Sequence, residues 1–482
     1  MNKYIHPYIH SSGSDMIGAL KRFIKTIHSG TPLILFCFIL FTSCTSSESS
    51  LYKRIRSAVD RIWLIDTHEH FMPESGRLKT EGDFFSLVIG YLQADMISSG
   101  MTNDELAIML DNKRPDGERW NVFAGYWENT KTTGYGQALK ITVKGLFNVD
   151  DLNEVTFKEI NSKMKEAYRT EGWYKYVLKE KCRVDVSIVD PLGEFTGPDA
   201  DYPPEFFVKV RRFDNFISIT PANIRNIESI YGVRINILSD YINVLDTAFK
   251  KAVEEEGIVG IKTGLAYSRK MRFEEVPEEV AEKLFLKAIN RMALVSSDES
   301  RQLQDFMFHQ VIAFSEKYKL PFQIHTGMLS RNFRPNPIEN TNALHLSNLF
   351  VKYRNAKFVI FHGSYPYMSE LSYLAKHYPN VYIDMCWMHI ISPASSARFL
   401  EEWLLTVPSN KIMAFGGDSS IEWTYGHSVM AREVVAKVLT KMVIDGYYTE
   451  KEAITIAENI LRNNAIKLFK IEKTGEKWGR AD

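Results

Sequence analysis

Four histidines and one aspartate, together with one lysine, stand at the ends of short apolar segments. His68 and His70 are two positions apart, so in an extended segment both rings project from the same face. Imidazoles and a carboxylate that converge form a divalent metal site, for which zinc is the most natural ion and iron, manganese or nickel are alternatives. One such histidine alone is more often structural, so the interpretation depends on the whole set. The members of the set are His68, His70, Lys262, His325, His362 and Asp418.

The segments that carry these residues have the composition of buried parallel strands. They are short and rich in β-branched side chains, and amphipathic helical patterns lie between them. Eight such segments predict an α/β fold, a (β/α)8 TIM barrel, in which the carboxyl ends of the strands carry the active site. The candidate strands are Trp63–Asp66, Val184–Val189, Phe216–Thr220, Ile258–Lys262, Pro321–His325, Phe358–His362, Val381–Asp384 and Ile412–Gly416.

The connection between the first two strands is unusually long. Asp66 and Val184 are 118 positions apart, far more than an ordinary strand-to-helix connection needs. We expect a helical insertion over about residues 84–175 that lies over the mouth of the barrel, because loops after barrel strands are on that side. Its predicted helices are Phe84–Leu92, Thr102–Leu110 and Val155–Tyr168, separated by breaks at Gly100, Pro115, Gly134 and Gly136.

The later helical patterns complete the predicted barrel domain, which covers residues 52–472 and is followed by a tail at 473–482. Apolar residues recur in these patterns at intervals of three and four, as in helices that pack one face on a sheet. The predicted helices are Tyr241–Glu256, Arg301–Tyr318, Ser395–Leu405 and Ser428–Ile444, with Glu450–Phe469 as the closing helix.

In chain order, these residues resemble the pattern of the amidohydrolase superfamily, and the resemblance covers nearly all of residues 62–470. That pattern has His-x-His after strand one, Lys or Glu after strand four, His after strands five and six, and Asp after strand eight. The chain is similar to the amidohydrolase-related (amidohydrolase 2) branch, which includes amidohydrolase-like domains attached to some glutamine synthetases. The segments that carry the resemblance are Gly260-Ile261-Lys262-Thr263, Leu344-His345-Leu346, His362-Gly363-Ser364-Tyr365-Pro366-Tyr367, Phe415-Gly416-Gly417-Asp418 and Ile460-Leu461-Arg462-Asn463-Asn464-Ala465.

The resemblance implies metal-dependent hydrolysis of a C–N or C–O bond. His68, His70, His325 and Asp418 would bind one or two divalent ions. Asp418 would also act as the general base towards the attacking water. His362 or His325 would complete the metal shell or stabilise the developing oxyanion. Two roles remain open for Lys262: carbamylated, it would bridge two metals, and unmodified, it would hold a substrate carboxylate or carbonyl.

Substrate-binding residues are expected in the loops over the mouth. Arginines there can bind a carboxylate through two parallel hydrogen bonds, and we expect that one of Arg269, Arg331 and Arg334 does so for a small, carboxylate-bearing substrate. Other side chains either line the pocket or cap the core of the barrel. These are Tyr365, Tyr367, Trp387 and His389.

The amino terminus has the pattern of an export signal. Lys21, Arg22 and Lys25 precede the apolar run Leu33–Phe41, which is too short to span a bilayer as a permanent helix. The segment Phe-Thr-Ser-Cys that follows resembles a lipobox with processing before Cys44. We therefore expect a signal over residues 1–44, a tether over 45–51, and a lipoprotein anchored to a membrane of the cell envelope. Ordinary cleavage nearby or an uncleaved anchor are the alternatives.

Charge and composition exclude some classes of protein. The 482 residues include 59 Lys and Arg and 59 Asp and Glu, with no basic run of the kind that nucleic-acid binding requires. A small-molecule substrate is the expected partner, and oligomeric state stays open. Two further catalytic alternatives resemble the same superfamily, a metal-dependent decarboxylase and a uronate isomerase, although the isomerase pattern lacks the lysine. A binding lipoprotein without activity is the third alternative, and it predicts degraded metal ligands.

Overall fold

The computed structural model describes residues 48–191, 202–330, 332–417 and 419–481. Three predicted functional residues, Cys44, Arg331 and Asp418, lie outside these ranges. The chain divides into two compact units, Met1–Arg54 and Ile55–Asp482. In the first unit the described residues, 48–54, are helical. No helix in the described part of the chain is long and apolar enough to cross a membrane.

Eight parallel strands form one sheet in the order of the sequence, as the TIM-barrel prediction requires. Each strand is hydrogen-bonded to the next along the chain. The two ends of the sheet also meet, because Thr67 in the first strand donates from its backbone nitrogen to the carbonyl of Phe415, which follows the last strand, over 3.2 Å. The strands are β1 Leu64–Glu69, β2 Val184–Val189, β3 Phe207–Arg212, β4 Gly260–Thr263, β5 Phe322–Ile324, β6 Phe358–Ile360, β7 Val381–Asp384 and β8 Ile412–Met413.

The predicted third strand, Phe216–Thr220, is wrong. Its apolar residues belong to the short helix Asp214–Ile217 and the turn after it, whereas β3 lies nine residues earlier, at Phe207–Arg212. Three basic side chains hid β3 in the sequence. They are tolerated because alternate side chains of a strand point to opposite faces: Arg211 pairs outside the barrel with Glu256, and Arg212 pairs at its mouth with Asp190.

Helices follow the strands and pack around the sheet, close to the predicted positions. The closing segment is helical as expected, but a five-residue π-helical turn, Asn459–Asn463, interrupts it. The α-helices after β2 are Asp214–Ile217, Pro221–Tyr231, Leu238–Glu254, Glu278–Arg291, Ser297–Lys317, Ser347–Lys352, Met368–His377, Met388–Ile391, Pro393–Thr406, Trp423–Ile444, Glu450–Glu458 and Asn464–Phe469.

Residues 473–481, most of the tail predicted at 473–482, belong to a folded hairpin. Strands β9 (Ile471–Thr474) and β10 (Lys477–Arg480) pair as an antiparallel hairpin. Trp478 in this hairpin is buried and packs in the same apolar cluster as Val186 of β2. Its ring nitrogen lies 3.4 Å from Asp185, near the start of β2, so the hairpin closes the amino-terminal end of the barrel.

The insertion between β1 and β2 is a helical layer with its own aromatic core. Phe84 contacts Phe123 with ring centres 5.1 Å apart, and Trp120 stacks on Phe157 at 4.7 Å. Arg119 is buried in this core, where it pairs with Asp83 at 2.5 Å and lies over the ring of Phe85. The α-helices of this layer are Glu74–Arg77, Tyr91–Ser98, Asn103–Leu110, Asp116–Thr130, Gly134–Phe147 and Glu154–Ala167.

The break predicted at Gly134 and Gly136 lies directly before them, because one helix ends at Thr130 and the next, Gly134–Phe147, begins at Gly134. Both glycines allow a close approach. A Cβ atom at Gly134 would lie 2.2 Å from the carbonyl oxygen of Ile390, and one at Gly136 would lie 2.2 Å from that of Thr130. The two glycines therefore reflect tight packing at the start of a helix, against the loop after β7 and against the preceding helix.

Candidate active site

The carboxyl ends of the strands surround a cavity of about 540 Å³, which is within the range of small-molecule sites. His70 after β1, Lys262 in β4 and His325 after β5 line it. His68 and His362 are fully buried beside these histidines. The structure thus brings together every described member of the set that the sequence singled out. Asp418 lies outside the described residues and stays a prediction.

The four imidazoles form a continuous row. The ring centres of His70 and His68 are 4.5 Å apart, those of His68 and His362 are 6.0 Å apart, and those of His362 and His325 are 4.5 Å apart. Trp387 stacks on His362 with nearly parallel planes and ring centres 5.1 Å apart. The indole therefore shields one side of the row.

Backbone carbonyls orient three of these rings. The Nδ1 atom of His70 donates to the carbonyl of Asp190 over 3.0 Å, and Nδ1 of His362 donates to the carbonyl of Cys386 over 2.9 Å. The Nε2 atom of His325 donates to the carbonyl of Met328 over 3.0 Å. A carbonyl partner on one ring nitrogen fixes the proton there and leaves the other nitrogen as a lone-pair donor, as in metal-binding histidines.

This assignment makes two lone pairs face each other. Nδ1 of His325 and Nε2 of His362 are 3.1 Å apart. The ring protons are on the other two nitrogens, Nε2 of His325 and Nδ1 of His362, which donate to backbone carbonyls. Burial lowers the pKa of His362 to about 3 and that of His325 well below its usual range, so a proton between them is unfavourable. A divalent cation accepts both lone pairs, so this pair fits a metal ion.

The remaining site groups favour the same chemistry. Burial lowers the pKa of His70 to about 4 and that of His68 well below 6.5, so both are neutral at pH 7, the form that binds metals. Nδ1 of His68 is buried and has no hydrogen-bond partner among the described residues. Within those residues, however, no three His, Cys, Asp or Glu side chains are arranged to hold an ion. Metal binding therefore needs side-chain rotation or a further ligand, a role predicted for Asp418.

Lys262 is fully buried beside the row. Its Nζ atom lies 3.5 Å from the centre of the Phe361 ring and makes no hydrogen bond to the described residues. Burial lowers the pKa of this amine to about 7, so a large fraction is uncharged at neutral pH. An uncharged amine is the form that carbamylation requires, and the charged form suits a substrate carboxylate. Both roles predicted for Lys262 therefore stay open.

Three predicted substrate-binding residues do not face the cavity. Arg269 pairs with Asp305 at 2.5 Å and stacks over Phe273, so it ties a loop to a helix. His389 is fully buried and donates from Nε2 to the carbonyl of Ala414 over 2.8 Å. Tyr365 is absent from the described lining, and its contribution is a carbonyl that accepts a hydrogen bond from Met328.

Trp387 does line the cavity, as predicted, and so does Arg334. The backbone of Trp387 is left-handed, with φ of 64°, and its nitrogen donates to the carbonyl of Gly416 over 2.8 Å. A Cβ atom at Gly417 would lie 2.6 Å from the indole. The two glycines before Asp418 thus let the strand-eight loop pass against this tryptophan. Arg331 lies outside the described residues.

Sequence reasoning missed several residues that line the cavity or lie directly behind its wall. Asp190 directly follows β2, so the strand-end rule applied to that strand would have found it. Arg212 ends β3 and was hidden by the misplaced strand. Asp214 and Tyr267 follow β3 and β4, whereas Tyr91 comes from the insertion and confirms that this layer reaches the mouth. No local signal in the sequence marks Tyr91.

The sequence of the second half of the chain matches a known protein family. A sequence model of the family described as Amidohydrolase matches residues 246–471. This part of the chain belongs to the amidohydrolase family. The amidohydrolase match contains Lys262, His325 and His362 but begins after His68 and His70, so the structure supplies the link between the two halves of the row. Membership suggests a divalent metal, and the barrel is of an enzyme type.

Individual proteins are also similar to this chain. The protein fluG of Emericella nidulans is 28% identical over 233 residues, which are 46% of this chain and 27% of that protein. The chain therefore spans about a quarter of the length of this curated relative. Among solved structures, uronate isomerase of Thermotoga maritima superposes with a TM-score of 0.72 at 18% identity, covering 87% of this chain and 97% of that one. Glucuronate isomerase of Caulobacter crescentus superposes with a TM-score of 0.72 at 18% identity, covering 89% of this chain and 96% of that one. At this identity the two structures show the shared fold.

Proposed function

We propose that the protein is a metal-dependent hydrolase that cleaves a C–N or C–O bond in a small molecule. The observation that carries the proposal is that the ring nitrogens of His325 and His362 with free lone pairs lie 3.1 Å apart, beside a cavity that His70 and Lys262 line. A buried, neutral imidazole pair of this kind is costly unless a cation binds to it. The membership of residues 246–471 in the amidohydrolase family supports the same reaction class.

In this proposal His68, His70, His325 and Asp418 hold the ion, and His362, whose Nε2 lies 3.1 Å from Nδ1 of His325, completes the shell. When bound, a divalent ion polarises the scissile bond and makes water a competent nucleophile at neutral pH. Asp418 takes the proton of that water and delivers it to the leaving group. The carbonyl of Asp190 holds the His70 ring in place, and the stacked Trp387 excludes solvent from His362.

The test measures metal content and turnover separately. We expect at least one equivalent of zinc, iron or manganese in the purified protein, and hydrolysis of at least one amide, ester or lactone in a substrate panel. Asp418→Asn should keep the metal and the fold and lose turnover, with Asp445→Asn, an exposed position, as the matched control. A protein that binds no metal after reconstitution contradicts the proposal and favours a binding lipoprotein. Full turnover in Asp418→Asn removes this residue from the mechanism.

A second candidate is the isomerisation or decarboxylation of a sugar acid. The observation that favours it is the cavity lining, in which Tyr91, Tyr267 and Trp387 offer aromatic faces, and Asp214 and Asn215 offer polar atoms suited to hydroxyl groups. The two isomerases with the same fold act on substrates of this class, according to their names. Conversion of an aldose to a ketose by NMR would identify an isomerase, and release of carbon dioxide would identify a decarboxylase.

The proposed cellular location is the outer side of a membrane, reached through lipid on Cys44. The support is the sequence pattern alone, since this residue lies outside the described ranges. Metabolic labelling with palmitate in the native host tests it. Labelling of the wild type that disappears in Cys44→Ser supports the anchor, and an unlabelled, secreted wild type contradicts it.

A further inference from the structure

The wall of the cavity formed by β3 and β4 carries a donor that the proposed hydrolysis does not use. Arg212 ends β3 and is paired in register with Lys262 of β4, and both side chains line the cavity. The Arg212 side chain is 18% exposed, whereas the carboxylate that binds it, Asp190, is 1% exposed. The guanidinium is therefore anchored from behind and accessible from the cavity.

The hydrogen bonds of Arg212 leave one edge of the guanidinium without a partner. Nε donates to both carboxylate oxygens of Asp190, over 3.1 and 2.9 Å, and Nη2 donates to one of them over 2.6 Å. Nη1 makes no hydrogen bond to any residue that the structure describes. Arginine presents five N–H groups in a rigid plane, so a planar anion can still be bound through this edge.

Gly264 provides the space in front of this edge. A Cβ atom at this position would lie 2.8 Å from Nη1 of Arg212. The φ angle of Gly264 is −110°, which any residue can adopt, so backbone geometry does not require glycine here. The absence of a side chain instead keeps open the route from the cavity to Nη1.

The charges around the cavity favour an anion. Among the described lining residues, Arg212, Lys262 and Arg334 are basic, and Asp214 is the single acidic one. Asp214 is already engaged, because it accepts a hydrogen bond of 2.8 Å from the backbone nitrogen of Gly264. A cavity lined by an excess of one charge attracts ligands of the opposite charge.

We propose that Arg212 binds the carboxylate of the substrate through Nη1, in the space that Gly264 leaves open. This assignment rests on the proposed function, since it completes the substrate-binding wall of the same cavity. It takes the role that was expected of Arg269, which is tied to Asp305, or of Arg334, which is exposed in the loop after β5. Arg212 is a specificity residue because it selects the charged acid against its neutral analogue.

The test compares acids with their amides in the purified, metal-loaded protein. Calorimetric titration uses three matched pairs: glucuronate and glucuronamide, benzoate and benzamide, and N-acetylglycine and its amide. We expect at least one acid to bind about ten- to a hundredfold more tightly than its amide, as a charge-assisted hydrogen bond in a partly buried site allows. Failure of every acid to bind in preference to its amide overturns the assignment.

Variants locate the preference. Arg212→Gln should reduce the affinity for the acid to that for the amide, and Arg212→Lys should restore part of it. Gly264→Ala, whose methyl group would lie 2.8 Å from Nη1, should lower the affinity for the acid and leave the affinity for the amide unchanged. The matched control is Arg211→Gln, the neighbouring residue that pairs with Glu256 outside the barrel. A preference that survives Arg212→Gln, or that disappears equally in the control, contradicts the proposal.

A merely structural role for Arg212 predicts a different pattern. Asp190 holds both Arg212 and His70, so loss of the arginine could disturb the histidine row instead of the substrate. In that case the Arg212→Gln variant would lose metal, and its affinities for the acid and for the amide would fall equally. This result overturns the assignment. Hydrolysis is measured independently. If the preference for the acid depends on Arg212 but the protein has no hydrolytic turnover, this inference is supported and the proposed function is contradicted. If the protein hydrolyses a substrate equally well with and without Arg212, the proposed function is supported and this inference is contradicted.

Discussion

Asp190 contacts His70 and Arg212 with two different groups. Its backbone carbonyl accepts a hydrogen bond of 3.0 Å from Nδ1 of His70, and its carboxylate binds the guanidinium of Arg212. One residue after β2 therefore sets the orientation of a predicted metal ligand and of the proposed substrate anchor. The two contacts can be separated by mutation, because a change of the side chain leaves the carbonyl in place.

Asp190→Asn should lower stability but keep the metal. The variant leaves the guanidinium of Arg212, which is 18% exposed, without its counter-charge, and this costs about 1–3 kcal/mol. His70 keeps its carbonyl partner, so the metal content should equal that of the wild type. Chemical denaturation and metal analysis of the same preparation check both outcomes. Loss of metal together with stability would show that the carboxylate, 3.9 Å from His70 Nδ1, also holds the ring.

Trp387→Ala should open the histidine row to solvent. The indole is buried, stacks on His362 and lies over Gly417, so its removal leaves a cavity and should cost about 3–5 kcal/mol of unfolding free energy. Trp387→Phe keeps an aromatic face and should cost less. Denaturant titration measures both variants. Equal stability of the alanine variant and the wild type would contradict the packing role.

How far the sequence predicts this molecule depends on whether the deciding contacts are local. The predicted bounds of β2 and β7 match the observed ones, because Val and Ile recur at alternate positions through these short segments. β3 was missed because its basic residues are neutralised by Glu256 and Asp190, which are distant in sequence. Arg269 and Arg334 look alike in the sequence. Only their surroundings in the fold distinguish them, because Arg269 pairs with Asp305 and Arg334 lines the cavity.

The insertion and the barrel are joined by a buried ion pair. Arg77, just after β1, pairs with Glu422, which follows β8 and is fully buried. Glu422 also accepts a hydrogen bond of 2.8 Å from the ring nitrogen of Trp173. Removal of one charge leaves the other unpaired, so Arg77→Met and Glu422→Gln should each cost about 3–5 kcal/mol.

The double variant Arg77→Met/Glu422→Gln tests this coupling. Its loss of unfolding free energy should be smaller than the sum of the losses in the two single variants, because the double variant contains no unpaired buried charge. Glu118→Gln, which breaks the exposed pair with Arg114, is the control and should cost less than about 1 kcal/mol. Strict additivity of the two buried changes would contradict the pairing.

The start of the helix Gly134–Phe147 offers a test of close packing with a matched glycine. Gly134→Ala would place a methyl group 2.2 Å from the carbonyl of Ile390 and should cost about 1–3 kcal/mol through overpacking. Gly125 lies inside the helix Asp116–Thr130, and no described residue outside the adjoining helix backbone has an atom within 4 Å of its Cβ position. Gly125→Ala should therefore stabilise the protein by up to about 1 kcal/mol, since alanine is the better helix former. Thermal unfolding of the two variants should shift in opposite directions. A shift in the same direction would mean that the contact with Ile390 does not determine why glycine stands at position 134.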